Sequence, residues 1–272
     1  MGVFQRLYGA GMKYIYTALE NQKIRVKWKQ WEQNGYKRIY HFHIRKTGGT
    51  SVNRMFYELS GIDPDEISSI MDNSVTRRTV APNGLVFVNW NRLAFRSGLF
   101  FYAHSHLPMK SVALPSATFT FTILRDPLNR VLSHYRMLRY WMEEEIVHPA
   151  AKKETAWARD GFRNFIERVP RNHLLNQLYV FSPKMDLNEA EENLSSLSMI
   201  LRTEKMDHGI AQLNNKLNTN LCPVHVRKTP FKDQIDESDK LNLREMLDPE
   251  YELIERLERK GLIIKIGRKP FH

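Results

Sequence analysis

Three short stretches of this chain combine residue types that can hold phosphate and move a proton. The first is His43-Ile44-Arg45-Lys46-Thr47-Gly48-Gly49-Thr50-Ser51. It follows an apolar, strand-like run from Ile39 to Ile44 and leads into a helical pattern from Ser51 to Leu59. A strand that breaks at glycines and opens a helix exposes backbone N–H groups at the positive end of the helix dipole. Lys46 adds a charge, and Thr47, Thr50 and Ser51 add hydroxyls, so the segment reads as an anion cradle. A Walker A loop, G-x-x-x-x-G-K-[ST], places its lysine after the glycines. Here the lysine precedes them, which disfavours an ordinary nucleotide-kinase loop.

The second stretch begins in Thr118 to Leu124, which alternates Thr with Phe and then becomes wholly apolar, as a buried strand does. It runs into Arg125-Asp126-Pro127-Leu128-Asn129-Arg130-Val131-Leu132-Ser133-His134-Tyr135. Asp126 suits an N-cap and Pro127 the first helical position, while Val131, Leu132 and Tyr135 supply an apolar face. Arg125 then stands at a strand end and Ser133 about two turns into the helix. A guanidinium fork and a hydroxyl so placed can grip one phosphate.

In the third stretch an apolar strand, Leu99 to Ala103, ends in His104-Ser105-His106-Leu107-Pro108. Two histidines at i and i+2 of an extended chain project to the same side. Neutral imidazole suits a general base, typically worth about 10²–10⁴-fold. His41 and His43 read as structural or close to substrate. No Cys or carboxylate cluster at recognisable ligand spacing accompanies these histidines, so no metal is expected.

Lys46 to Ser51 after a short strand resembles the 5′-phosphosulfate loop of Golgi-type carbohydrate sulfotransferases and their bacterial relatives, with Arg45 where proline usually stands. The string from Arg125 to Tyr135 resembles the 3′-phosphate motif of the same family. The resemblance implies a donor, 3′-phosphoadenosine 5′-phosphosulfate (PAPS), with PAP as product and no metal. It carries Lys46, Thr47, Gly48, Gly49, Thr50 and Ser51 over as the loop on the 5′ side, and Arg125 and Ser133 as ligands of the 3′-phosphate. The family places a histidine before an apolar residue and proline, which His106-Leu107-Pro108 fits better than His104 does. His106 is therefore the expected base, and His104 an orienting or substrate contact. Lys46 would stabilise charge on the departing 5′-phosphate. Arg227 and Lys228 lie in the kind of late basic loop that closes over the nucleotide in this family.

At 272 residues the chain can hold one sizeable core, and alternating strands and helices imply a three-layer, P-loop-like α/β fold with a mainly parallel sheet. The expected organisation is a basic, aromatic helical segment over residues 1–38 and a single domain over residues 39–272. The segment from Phe4 to Trp31 either docks on a membrane surface or lies against the core; the second is favoured because Trp28 and Trp31 can bury locally. The net charge of +11 suits phosphosulfate and an anionic glycan, but the charges are scattered and no nucleic-acid-binding motif accompanies them. One cysteine, Cys222, excludes an intramolecular disulfide. With no apolar run long enough to span a bilayer and no signal-peptide pattern, a soluble, cytoplasmic enzyme of bacterial or viral origin is expected rather than a trimmed Golgi domain.

Ser60 to Gly84 reads as loop, Val86 to Trp90 as a strand, Met199 to Glu204 as another, and Met206 to Leu217 as a helix. Trp157 is a candidate lid or acceptor contact, and Thr203 and Glu204 read as caps. Asp239 to Lys260 reads as one amphipathic helix before a final strand, Leu262 to Ile266. The function expected is PAPS-dependent O-sulfation of a carbohydrate hydroxyl. The alternatives are a P-loop-type kinase, or a non-catalytic protein that binds anionic glycans or membranes.

Overall fold

The computed structural model describes residues 3–223 and 235–264, without the side chains of residues 3–10 and 13. Arg227, Lys228 and most of the expected final strand lie outside the described residues, and 262–264 are not strand. The helices are α1 (Val3–Lys27), α2 (Gly49–Glu58), α3 (Pro64–Asn73), α4 (Arg92–Ser97), α5 (Pro127–Glu143), α6 (Ala151–Ala158), α7 (Phe162–Arg168), α8 (Arg171–Leu174), α9 (Asn176–Phe181), α10 (Leu187–Ser195), α11 (Met206–Leu217), α12 (Glu237–Met246) and α13 (Asp248–Arg259). The strands are β1 (Arg38–Phe42), β2 (Arg78–Val80), β3 (Val86–Asn89), β4 (Tyr102–Ser105), β5 (Thr118–Leu124) and β6 (Met199–Arg202).

The six strands form one sheet in the order β2-β3-β4-β1-β5-β6. β1 runs parallel to both β4 and β5, and β3 parallel to β4; only β2 is shown antiparallel to its neighbour. Every residue of β1 is buried, and β5 alternates at its start before burying entirely, as expected of parallel strands covered on both faces. The fold is thus the mixed α/β arrangement expected, with a mostly parallel central sheet flanked by helices.

The chain divides into two compact units. The first comprises the described residues of Met1–His43, Thr50–Thr122 and Asp207–Val224; the second those of Ile44–Gly49, Ile123–Met206 and His225–His272. The core of the first is aromatic: Phe56 stacks on Tyr102 with ring centres 4.0 Å apart, and Phe121 stacks on His41 at 4.5 Å. The core of the second is built on Leu138, Phe165, Leu178, Leu253 and Leu257, all essentially buried.

Two sequence expectations fail for identifiable reasons. The stretch read as loop from Ser60 to Gly84 contains α3 and β2. Asp63 caps α3 by accepting from the Asp65 N–H, Pro64 opens it, and Ile67 and Met71, one turn apart, bury its inner face. The helix expected over Asp239 to Lys260 is two, because Pro249 cannot continue α12 and instead sits in the first turn of α13.

Candidate active site

The loop after β1 carries a backbone conformation that its sequence does not favour. Lys46 has φ +68°, in the left-handed region that a lysine rarely enters, and Gly48 follows at +87°. A Cβ on Gly48 would be strained by this dihedral and would press on the Met206 methyl at 3.2 Å. Such a turn persists only when its surroundings over-determine it. Here they do. The Lys46 carbonyl accepts from Arg125 Nη1 at 3.0 Å, and the Thr47 carbonyl accepts from the Thr203 hydroxyl at 2.6 Å. The Arg45 N–H donates to Asn176 Oδ1, and the buried Thr47 hydroxyl donates to the Ile44 carbonyl. Helix α2 starts at Gly49; Thr50 on it is exposed and Ser51 half-buried.

Arg125, at the end of β5, is half-buried, and desolvation lowers the pKa of its guanidinium. Its backbone is held at both ends by one side chain: Gln177 Oε1 accepts the Arg125 N–H, and Gln177 Nε2 donates to the Arg125 carbonyl. Gln177 is itself fixed by Glu250, which accepts from its backbone and side-chain N–H groups. Asp126 caps α5 by accepting from the Asn129 N–H, with Pro127 in the first turn, as expected. The Asp126 N–H donates to Glu204 Oε1. Ser133 lies half-buried on α5. Arg130, fully buried, donates to the carbonyls of His173 and Leu174 and stands 3.6 Å from Glu250. Its part is to hold the end of α8 to the start of α13.

Arg45 points away from the turn into a buried cluster. Both of its terminal nitrogens donate to the Glu154 carboxylate at 2.7 Å, and Nη1 also lies 3.3 Å from His173 Nδ1. His134 Nε2 stands 3.5 Å from Glu154 Oε2, an electrostatic contact longer than a well-formed hydrogen bond. Among the described residues, His134, Glu154 and His173 are the group whose ligand atoms, all within 4.8 Å, could hold a metal ion. The cation already there is the Arg45 guanidinium, which occupies both carboxylate oxygens. Burial would raise the Glu154 pKa, but the nearby His134 imidazole and the hydrogen bonds from Arg45 override it and hold the carboxyl at about 2. Burial pushes His134 down to about 4. Trp157 is buried against both imidazoles, 6.3 Å from His134 and 4.9 Å from His173, and so packs this cluster.

The first unit holds a second histidine cluster, at the carboxyl ends of β1 and β4. The ring centres of His43 and His106 lie 4.2 Å apart, those of His41 and His43 5.0 Å, and those of His43 and His104 5.9 Å. His41 is fully buried, with Nδ1 bonded to Asn53 and Tyr102, and burial pushes its pKa down to about 3. His104 is tied to the Tyr57 hydroxyl through Nε2 at 2.6 Å, and burial holds it well below the usual histidine range. Both imidazoles are therefore neutral at physiological pH. His106 is half-buried, with Trp90 against its edge, and its Nδ1 hydrogen-bonds the His43 carbonyl. A carbonyl only accepts, so Nδ1 carries the proton and the lone pair is on Nε2.

The sequence places the loop after β1, Arg125 at the end of β5 and the histidine pair at the end of β4, and the structure has them there. Of the residues that hold them, Asn176 and Gln177 lie in a segment, Asn172 to Gln177, that resembles one near the cofactor or substrate in the sulfotransferases but to which the sequence assigns no role, and Glu250 is missed. Thr203 and Glu204, read as helix caps, bond the loop and the Arg125 motif instead. A search among curated proteins gives no match. The family model described as the sulfotransferase family matches residues 33–220, which span β1, the loop, the histidine strand and the Arg125 motif, and the chain belongs to that family.

Proposed function

We propose that this protein transfers a sulfuryl group from PAPS to a hydroxyl, that of a carbohydrate, with His106 as the base. The observation that carries the reading is the bond from Arg125 Nη1 to the Lys46 carbonyl, which joins two phosphate-type motifs that are 79 residues apart in sequence. The residues suit such a donor. The loop turns its backbone at Lys46 and Gly48 and opens helix α2, and Arg125 and Ser133 provide a cation and a hydroxyl on the following strand–helix junction. PAPS supplies an activated sulfuryl group on a phosphate leaving group.

The protein's part is positioning and charge. Lys46, fixed by its own backbone conformation, neutralises negative charge on the leaving 5′-phosphate. Arg125 and Ser133 hold the 3′-phosphate, as a planar fork and a hydroxyl can. His106 Nε2 takes the acceptor's hydroxyl proton, and the Nδ1 bond to the His43 carbonyl keeps the ring in the tautomer that can do so. The logic is that of phosphoryl transfer, where alignment and neutralisation do most of the work.

The test is incubation of the purified protein with PAPS labelled in its sulfuryl group and a panel of carbohydrates, lipid headgroups and small alcohols. Label is expected on a carbohydrate hydroxyl, and at a rate about 10²–10⁴-fold lower when His106→Ala replaces the wild type. Failure to label any acceptor despite PAP binding would contradict the catalytic reading and favour a binding protein on this fold.

A further inference from the structure

Helix α1 is apolar on two faces, and only one of them is used. Thr17 and Ile24, two turns apart, are 2% and 4% exposed and face inward. The helix is fixed on that side: Asn91 Nδ2 donates to the Thr17 hydroxyl, Arg78 Nη1 donates to Asn21 Oδ1, and Glu20 accepts from the Thr76 hydroxyl. The opposite face carries Ile15, Leu19 and Val26, spaced by four and seven and hence in one row. They are 53%, 51% and 87% exposed. Tyr14 and Tyr16 are exposed beside them.

Charge narrows the choice of what covers this row. Lys23, Arg25, Lys27 and Lys29 follow one another without an acidic residue among them, and the one acid of the helix, Glu20, is engaged with Thr76. Two copies of α1 laid face to face would bring like charges together, so a second copy is disfavoured. An apolar row flanked by tyrosines and lysines fits the boundary between headgroups and acyl chains of an anionic bilayer.

Between α1 and the β2–β3 hairpin lies a trough of about 910 Å³, lined by Lys23, Lys27 and Arg78, by the Glu20 carboxylate that hydrogen-bonds Thr76 and acts on Arg78, and by Ile24 and Val80. It also reaches Val26 and so adjoins the apolar row. Arg78 is 4% exposed, and its Nε and Nη2 are buried without a hydrogen-bond partner among the described residues. Burial pushes its pKa down to about 10, so the guanidinium stays charged. Buried N–H groups left unpaired are costly, and an anionic oxygen would satisfy them.

We propose that α1 docks this protein on an anionic membrane surface, with Ile15, Leu19 and Val26 in the headgroup–acyl boundary and a lipid phosphate in the trough of Arg78, Lys23 and Lys27. No described helix is long and apolar enough to cross a membrane, so the contact is peripheral.

The test is co-sedimentation of the full chain with vesicles of phosphatidylcholine alone and with about one third phosphatidylglycerol. Binding is expected to the anionic vesicles only and to weaken as salt rises. Lys23→Glu and Lys27→Glu should each lower affinity about fivefold or more. Leu19→Glu, an exposed change, should abolish binding while the thermal unfolding temperature stays that of the wild type. Arg78→Gln should weaken binding to anionic vesicles without creating binding to neutral ones. Equal binding to both vesicles, or to neither, would overturn the proposal. So would a dimer seen by light scattering without vesicles and split by Leu19→Glu, which would assign the row to a second copy. An Arg78-dependent thermal shift with inorganic phosphate, in the absence of any vesicle binding, would mark a site for a soluble anion and overturn it equally.

Discussion

Two histidine clusters among the described residues are made of the same side chains in opposite surroundings. In the cluster of His41, His43, His104 and His106 the members bond hydroxyls, an amide and a backbone carbonyl. The cluster of His134 and His173 surrounds Glu154, and a guanidinium fills it. Burial lowers histidine pKa values in both. In the first, His41 and His104 are neutral, and the Nδ1 bond to the His43 carbonyl fixes the His106 tautomer that the proposed base requires. In the second, the neutral imidazoles pack around an ion pair that anchors Arg45, the residue directly before Lys46. A histidine is thus defined by its partners: a carbonyl on Nδ1 fixes the tautomer that the proposed proton transfer requires, whereas a carboxylate already holding arginine makes a strut.

The sharpest way to break the comparison is to remove one histidine from the first cluster. His106→Ala is expected to lower kcat by about 10²–10⁴-fold, while PAP binding, measured by calorimetry, stays unchanged. His134→Ala is expected to cost stability rather than to remove the base, so a comparable loss of kcat in a folded His134 variant would erase the distinction.

In the second cluster the expected effect is on folding. Arg45→Ala leaves the Glu154 carboxylate buried without its cation, at a cost of about 3–5 kcal/mol in urea unfolding. Arg45→Ala combined with Glu154→Ala should recover part of that loss, because no lone charge is then buried. Without recovery, the ion pair is not what fixes Arg45. Lys46→Ala leaves both clusters intact and should reduce kcat by about 10²–10³-fold, the range for losing one charge-stabilising donor. A change confined to KM would assign Lys46 to binding alone.

The smallest expected effect is on stability with pH. His41 and His134 have folded pKa values of about 3 and 4, below the ordinary 6.5. As pH falls below about 6.5 the unfolded chain takes up protons that the folded protein refuses, so stability is present above 6.5 and is lost progressively toward pH 4 and below. Glu154, held at about 2 against an ordinary 4.5, adds loss in the same direction below 4.5. Midpoints of urea unfolding should therefore fall from pH 7 to pH 4. A flat profile would mean that these imidazoles are not buried as neutral groups.

Much of this was legible in the chain because it is local. The loop between β1 and α2, the N-cap Asp126 with Pro127, and the all-apolar end of β5 each declare themselves within ten residues. Helix α3 was also written locally, in Asp63-Pro64 and the pair Ile67 and Met71, but a polar composition masked a narrow apolar face. What no local reading could reach is the support. Gln177 grips Arg125 across 52 residues and is itself gripped by Glu250 across 73. A glutamine in a short helix and a glutamate early in another carry no periodic signal that states their role; their value appears only when the fold brings them together. The sequence likewise suggests a basic aromatic helix at the start of the chain, yet only packing separates the row that faces Thr17 and Ile24 from the row that faces solvent.

The central claim is that the Lys46 loop and the Arg125 motif hold a 3′,5′-bisphosphorylated adenosine. It is tested most directly by thermal unfolding of the wild type and of Arg125→Ala, each with PAP and separately with ATP and Mg²⁺. A ligand at about a hundred times its Kd stabilises by roughly 2.7 kcal/mol. PAP is expected to raise the unfolding temperature of the wild type and to leave that of Arg125→Ala where it was. No shift with PAP, alongside a clear shift with ATP and Mg²⁺, would contradict the account.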